Sequence, residues 1–251
     1  MWDKPQLMTA VSDLLLVSAA AVLFVALLVW GARLPLLPLR EVIVKQELRE
    51  VKRGEIERAL SERLRGNLFS INLEPLRLSL EQLPWVRHAE VRRVWPSSLE
   101  VNIEEHVPVA FWGLATGQFV NTYGEVFSAI ASQRPDESMP LLVGPSGMAP
   151  EMLAYYQQAE EMLKPIGRVP QVLNVSPRLA VQLKLDDGII VELGRQQTKA
   201  PVKERLERFV EHYKSIMTVA RQRPKVVDMR YPNGFALRVA AAPAIENKGK
   251  P

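Results

Sequence analysis

The sequence predicts an α+β protein with a single N-terminal transmembrane helix, a β-α-α-β-β unit, and a mixed β-rich region with a C-terminal edge strand. Three observations support this fold class. Residues 14–30 are apolar apart from Ser18. Residues 41–104 pass from strand-like to helix-like and back to strand-like periodicity. Beyond them, turn signals at 186–188 and 233–234 each separate two segments of alternating apolar residues.

The apolar segment predicts one membrane span at residues 14–32, after a short tail at 1–13 and before a linker at 33–39 that contains Pro35 and Pro38. A helix needs about 20 apolar residues to cross a bilayer, with a lower limit of about 17. A cleaved signal peptide has a core of only about 7–15 apolar residues, so an uncleaved anchor is favoured. The charges that flank the segment leave its orientation open.

Residues 40–108 predict a small domain in which two helices cover one face of a three-stranded sheet. Apolar residues three or four positions apart indicate the helices, and alternation indicates the strands. Imperfect alternation in the second strand predicts a bulge. The patterns lie at 41–45, at Ile56, Leu60 and Leu64 before a Gly66-Asn67 cap, at Leu76, Leu80 and Leu83 between Pro75 and Pro84, at 86–94, and at Leu99, Val101 and Ile103.

Residues 109–240 predict a second, β-rich domain, followed by a flexible tail at 241–251. Residues 133–150 are rich in Pro, Gly and Ser and should be mostly loop. The predicted elements are short strands at 111–112, 119–121 and 125–127, a helix at 153–163, a hairpin of strands at 179–185 and 189–193, and a long helix whose apolar face carries Val202, Leu206, Phe209, Tyr213, Ile216 and Ala220. Arg205 and Arg208 are expected on the solvated face of that helix.

The last predicted element is a hairpin around Asn233-Gly234, because a two-residue turn needs positive φ and this pair tolerates it best. Its strands are predicted at 226–231 and 235–239, where apolar residues alternate. A final strand is often an edge strand, and an edge strand needs something to cover it.

The composition argues against several chemistries. The net charge of +4 is not concentrated in a basic run, so no nucleic-acid binding is expected. The absence of cysteine excludes disulfides and thiolate chemistry. His88, His106 and His212 lie far apart without a second ligand at metal spacing, and adjacent Glu104 and Glu105 face opposite sides of a strand. We therefore expect neither an enzyme nor a metal or cofactor site.

An ordered series of short motifs spans most of the chain. The motifs are Leu83-Pro84-Trp85-Val86 with Trp95-Pro96, Glu105 with Pro108, Ala110 and Trp112, Gly124 with Val126-Phe127, Leu193-Gly194-Arg195, Arg205-Leu206-Glu207-Arg208-Phe209, and Asp228-Met229-Arg230-Tyr231 with Gly234. This series resembles the FtsQ/DivIB family of bacterial divisome proteins, and the β-α-α-β-β unit itself resembles a POTRA domain, a module that binds other polypeptides.

The resemblance implies a single-pass, type II protein of the cell inner membrane, with its C-terminal domains in the periplasm at the division septum. It implies a scaffold that recruits septal proteins and binds the coiled-coil partners FtsB and FtsL, by addition of a partner strand to its last strand. The partner-binding residues that it implies are Arg178, Arg230, Tyr231, Gly234, Phe235, Ala236 and Leu237. Weak self-association in the membrane stays an open alternative.

Other interpretations remain open on the residues alone. Tyr231 could be an interface anchor or simply pack over the sheet, and Arg230 could pair with an acidic partner residue or face water. The whole chain could instead be a POTRA-bearing component of polypeptide export or outer-membrane assembly, although such proteins usually show repeated units or a long β-barrel. A periplasmic enzyme acting on the cell wall would need a catalytic constellation that the sequence does not contain.

Overall fold

The computed structural model describes residues 5–33, 41–61, 71–130, 138–198, 200–219 and 224–239. The chain forms two compact units that divide after Glu105. Several predicted features lie outside the described residues: 34–39 of the linker, Leu64, the Gly66-Asn67 cap, 133–137 of the predicted loop, Ala220 and the tail at 241–251.

The chain begins with a long helix, α1 (Pro5–Arg33). Its segment Thr9–Leu27 is long and apolar enough to cross a membrane, and it overlaps the span predicted at 14–32. Within that segment, side chains such as Leu14 and Phe24 are more than 60% exposed in the isolated chain. An apolar helix with side chains this exposed is suited to a lipid environment, where all its backbone polar groups are satisfied internally.

The first unit has the predicted order of elements. It contains β1 (Glu41–Val44), α2 (Arg53–Ser61), α3 (Leu73–Glu81), β2 (Val86–Val94) and β3 (Ser98–Glu105). Strand β1 is parallel to β3, and β2 is antiparallel to β3, which lies in the centre of the sheet. The register shifts between Val86 and His88, which confirms the predicted bulge. The core is formed by the predicted apolar positions Ile56, Leu60, Leu76, Leu80, Leu99, Val101 and Ile103, each at most 1% exposed.

Glu105, at the end of β3, holds a neighbouring segment in place. Its carboxylate accepts hydrogen bonds from the backbone N–H groups of Arg49, Glu50 and Val51 at 2.8, 2.9 and 2.7 Å. A carboxylate that satisfies three successive N–H groups fixes the turn between β1 and α2. This contact gives the glutamate of the Glu105–Pro108 motif a structural role.

In the described part of the second unit, nine strands form one mixed sheet. They are β4 (Pro108–Trp112), β5 (Gln118–Asn121), β6 (Val126–Ser128), β7 (Leu141–Val143), β8 (Pro170–Val175), β9 (Ala180–Leu185), β10 (Ile190–Arg195), β11 (Pro224–Asp228) and β12 (Ala236–Val239). Their order is β12-β11-β10-β9-β8-β7-β4-β5-β6. The helices α4 (Ala149–Leu163) and α5 (Val202–Val219) contact each other and pack on β7, β8 and β10.

The sheet has one covered and one open face. Along β9, Val181, Leu183 and Leu185 are buried, whereas Gln182 is half-buried and Lys184 is exposed. This alternation is typical of a sheet with one face on the core and the other in solvent. The hairpin of β9 and β10 and the helix α5 are confirmed as predicted, and Gly188 supplies the positive φ of the hairpin turn.

Two central strands were not predicted from the sequence. Strand β7 lies inside the segment expected to be loop, yet it pairs in parallel with both β4 and β8. Its central residue, Leu142, is fully buried, and Leu173 of β8 is 1% exposed. A three-residue strand between Pro140 and Gly144 has no alternation to count, so its breaker residues dominated the prediction.

The final hairpin differs from the predicted two-residue turn. Strands β11 and β12 pair in antiparallel fashion, but residues 229–235 connect them. Neither Asn233 nor Gly234 has positive φ. The chain cannot turn at once because Met229 is 1% exposed and its N–H donates to Glu192 O at 2.9 Å. Tyr231 therefore lies in the connection and not in a strand.

Candidate functional site

Strand β12 forms one edge of the nine-stranded sheet. It pairs with β11, where Leu237 lies opposite Val227 and Ala236 lies opposite Asp228. No other strand in the described part of the chain pairs with it. Alternate N–H and C=O groups of such a strand point away from its sheet and can accept a further strand. The edge is therefore a ready template for strand addition.

The side chains of β12 divide between the core and the solvent. Leu237 is half-buried and packs against the core of the second unit, together with Phe235 just before the strand. Ala236, Arg238 and Val239 are exposed. The strand is thus held to the sheet by one apolar anchor while its outer surface stays accessible.

Residues 229–235 form a structured connection beside this edge. Its residues 231–235, together with Ala236, line a shallow surface concavity of about 410 Å³. The connection begins at the buried Met229, and its exposed aromatic side chain is Tyr231, which is 55% exposed. An aromatic ring at the rim of a concavity is the kind of group that dominates protein interfaces.

Arg230, in the same connection, binds Asp228 at the end of β11. Its Nε lies 2.9 Å from Oδ1 and its Nη2 lies 2.6 Å from Oδ2, while the backbone N–H of Arg230 also donates to Oδ1 at 3.0 Å. The hydrogen bond from Arg230 lowers the pKa of Asp228, and the same contact raises the pKa of Arg230. The guanidinium is therefore already engaged with a carboxylate of its own chain, although 60% of the side chain is exposed.

Arg205 is buried, and the expectation that it faces solvent is wrong. Only 2% of the residue is exposed. Its Nη1 donates to Leu193 O and, at 3.0 Å, to Arg195 O, and its Nη2 donates to Ala200 O at 2.7 Å. Burial, and then the charge of Arg208, lower its pKa. Among the described residues, no carboxylate pairs with Arg205. The free-energy cost of burying its charge is therefore offset by hydrogen bonds to backbone carbonyls.

Gly194 makes this arrangement possible. It lies at a bulge in β10, where the register with β9 shifts, and has φ +72. A Cβ at this position would lie 2.9 Å from Arg230 Cγ and 3.2 Å from Arg205 Nη1. The bulged backbone thus presents carbonyls to Arg205 and lets Arg230 lie close to the strand.

Arg208, one turn further along α5, reaches the connection itself. It is half-buried. Its Nη1 donates to Pro232 O, and its Nη2 lies 3.5 Å from Met229 O. The solvated position expected for Arg208 is therefore only partly correct, because its guanidinium is directed at the backbone of residues 229–232.

Three motifs that are far apart in the sequence come together in this way. The motif at 193–195 supplies the bulge, the motif at 205–209 supplies Arg205 and Arg208, and the motif at 228–231 supplies the start of the connection. Sequence reasoning named each motif but did not relate them. The signal that the sequence offered was a charged residue one turn from the apolar face of α5. The spacing of residues along the chain does not reveal how far that residue lies from the bulge in β10.

Arg178 lies in the exposed turn between β8 and β9. Strand β9 is antiparallel to β10, and β11 is parallel to β10, so this turn lies at the same end of the sheet as residues 229–235. The next residue, Leu179, has φ 59, a conformation that costs a non-glycine residue about 1–2 kcal/mol. The seven residues expected to bind a partner therefore share one end of the sheet, and their role in binding stays a prediction.

The three histidines have separate local partners. His88 Nδ1 lies 2.9 Å from Glu81 Oε1, His106 Nδ1 lies 2.9 Å from Asn121 Nδ2, and His212 Nδ1 lies 3.0 Å from Arg208 O. Across the part of the chain that the structure describes, no group of three or more His, Asp or Glu residues could hold a metal ion.

The fold defines a class of protein: an α+β chain with a helix apolar enough to span a membrane, a POTRA-like unit and a mixed sheet with an open edge. The chain belongs, within this class, to the FtsQ/DivIB family of cell division proteins. Residues 37–106 match the FtsQ-type POTRA domain, and residues 110–230 match the C-terminal domain of cell division protein FtsQ/DivIB. The family is not enzymatic. Because the chain belongs to this family, the finding argues against the alternative that it is a component of polypeptide export or outer-membrane assembly.

Relatives cover nearly the whole chain. Cell division protein FtsQ of Nitrosospira multiformis is 37% identical over 243 residues, which span 95% of this chain and 99% of the relative. The FtsQ proteins of Burkholderia pseudomallei and Bordetella pertussis are 35% and 31% identical, over 96% and 100% of this chain and 95% and 98% of their own lengths. The domain match ends at residue 230, so the case for β12 as a site rests on its geometry.

Proposed function

We propose that this cell division protein is a divisome scaffold that binds FtsB and FtsL-type coiled-coil partners by β-strand addition at β12. The observation that carries the proposal is that, among the strands the structure describes, β12 pairs on one side and leaves the other open, next to a connection that exposes Tyr231. An incoming strand gains affinity from main-chain hydrogen bonds and specificity from side-chain contacts. The surface has both kinds of group.

The predicted residues divide into two roles. Phe235, Ala236 and Leu237 contribute mainly backbone groups, and Gly234 allows a partner backbone to approach, since a Cβ there would meet nothing within 4 Å. The side-chain contacts come from Tyr231, Arg230 and Arg178, which lie at the same end of the sheet. Arginine and tyrosine are enriched at the energetic centres of interfaces.

The anchor and the family support a location for this activity. Helix α1 holds the protein in the cell inner membrane as a single-pass, type II protein, and both folded units lie in the periplasm at the division septum. An anchored scaffold meets its anchored partners in two dimensions, which raises their effective concentration. A fluorescent fusion should gather in a mid-cell ring, whereas an even peripheral signal would contradict this location.

The proposal is tested by proline substitution in β12. Leu237→Pro or Ala236→Pro removes a ladder N–H and disturbs strand pairing. We expect either change, in the full-length protein in detergent, to abolish capture of purified FtsB-type and FtsL-type partners while the first unit stays folded. The matched control is Val126→Pro in β6, the opposite edge of the sheet. Undiminished capture by both β12 variants would exclude strand addition there.

The same edge could also pair with a second copy of the chain. Sedimentation of the full-length protein with and without partner separates the two cases. Self-association that Leu237→Pro removes, without any partner capture by the wild type, would favour pairing between copies over the proposed function.

A further inference from the structure

One side chain reaches the backbone of residues 231–235 from helix α5. Arg208 Nη1 donates a hydrogen bond to Pro232 O. The same guanidinium lies 3.5 Å from Met229 O, at the start of the connection. One planar group thus gathers two carbonyls that are three residues apart.

We propose that Arg208 is a positioning residue for partner binding, which fixes residues 229–235 so that Tyr231 and the first residues of β12 are presented in one conformation. This inference rests on the proposed function of β12. Arg208 need not touch the partner. Its contribution is that the connection is already ordered before the partner arrives, so less conformational entropy is lost on binding.

The rest of the structure fixes the position of the Arg208 guanidinium. The neighbouring residue Phe209 is fully buried and sets the rotation of α5 against the sheet. One turn earlier, Arg205 ties the same helix to the carbonyls of Leu193 and Arg195 in β10. Since β10 also receives the N–H of Met229 through Glu192 O, the helix and the start of the connection share one frame.

The chemistry of the contact demands an arginine. A guanidinium presents five N–H donors in a rigid fork, whereas a lysine ammonium is a single flexible point charge. Lysine can reach one carbonyl but cannot hold two in a fixed relation. We therefore expect Arg208→Ala to weaken partner binding on the order of ten-fold, the factor that corresponds to about one charge-assisted hydrogen bond, and Arg208→Lys to restore part of that loss.

The experiment compares three full-length variants with the wild type in detergent. Arg208→Ala removes the guanidinium, Arg208→Lys keeps the charge, and Lys203→Ala is the matched control. Lys203 is an exposed cation of the same helix that lies 3.8 Å from Glu207, also exposed. Three quantities are measured for each variant. They are the affinity for the purified FtsB-type and FtsL-type partners, the deuterium uptake of peptides covering 229–239, and the midpoint of thermal unfolding.

We expect faster deuterium uptake at 229–239 and weaker binding in Arg208→Ala, a partial return of both in Arg208→Lys, and no change in either for Lys203→Ala. Wild-type binding by Arg208→Ala, or uptake that is unchanged at 229–239, would overturn the inference. The inference would also be overturned if Arg208→Ala lost its whole fold while Arg208→Lys matched the wild type in partner affinity and deuterium uptake. If the wild type captures no partner, the proposed function fails, while the uptake measurements still decide whether Arg208 orders the connection.

Discussion

At the scale of single residues, Gly194 shows how a backbone position supports a surface that it does not form. Alanine there must adopt φ +72 and place its Cβ 2.9 Å from Arg230 Cγ. We expect Gly194→Ala to destabilise the second unit by about 2 kcal/mol or more, the sum of the left-handed strain and the displacement of Arg230. Urea unfolding measures this loss. Gly147→Ala is the control, because Gly147 has φ +84 but open space around it.

The difference between the two glycine variants isolates the contact. Strain alone affects both, whereas only Gly194→Ala moves Arg230 and the buried Arg205. Equal destabilisation by the two substitutions would show that the crowding around Gly194 has no energetic consequence, and the connection at 229–235 would then not depend on this bulge.

Asp228 gives the same region a dependence on pH. The hydrogen bond from Arg230 lowers the pKa of Asp228 in the folded state, so the pair stabilises the fold above the unfolded pKa of about 3.9 and loses this effect as the pH falls through the folded pKa. We expect Asp228→Asn to cost about 0.5–1 kcal/mol at pH 7. The cost should shrink as the pH falls below about 3.9 and through the lowered folded pKa, as urea titrations at pH 7 and at acidic pH would reveal. A pH-independent difference would contradict this linkage.

At the scale of elements, the connection between β11 and β12 and the turn between β9 and β10 both carry a glycine that the sequence marks as a turn. Gly188 has φ +85, whereas Gly234 has no positive φ. We expect Gly188→Ala to cost about 1 kcal/mol and Gly234→Ala to leave stability unchanged or raise it by about 0.4–1 kcal/mol. Thermal unfolding measures both. If Gly234→Ala lost as much stability as Gly188→Ala, this result would support the two-residue turn predicted at Asn233-Gly234.

The same pair of glycines explains which elements the sequence could predict. The β9–β10 hairpin is readable because Leu183 and Leu185 alternate with polar neighbours and no tertiary contact competes with its turn. The last hairpin is not, because the burial of Met229 and its bond to Glu192 O override the local preference of Asn233-Gly234. Tertiary contacts of this kind have no signature in spacing.

The candidate site was predictable to the same limited degree. An edge strand near the end of the chain follows from alternation, and the motifs around Arg230 and Tyr231 follow from the family resemblance. The support from Arg205 and Arg208 does not, because helical periodicity assigns a charged residue beside an apolar face to solvent. The bulge at Gly194, seen only in the structure, brings backbone carbonyls within hydrogen-bonding distance of Arg205.

At the scale of the whole molecule, each unit has a core of its own. Among the described residues, the buried core cluster of the second unit runs from Ala110 to Met229, and the first unit buries its own set around Leu99, which is 0% exposed. The proposed partner site belongs to the second unit alone. Strand addition at this proposed site depends on the sheet that carries β12.

This separation leads to a prediction for two matched core variants of the full-length protein. Leu99→Ala and Leu183→Ala each remove a leucine that is at most 1% exposed, and each should cost its own unit about 2–5 kcal/mol. We expect Leu99→Ala to raise deuterium uptake in the first unit while purified partner still binds with wild-type affinity. Leu183→Ala should raise uptake in the second unit and weaken partner binding, because β9 supports β10 and, through it, the edge. Equal loss of binding in both variants would mean that the first unit takes part in the interface, and the proposed site would have to be extended to it.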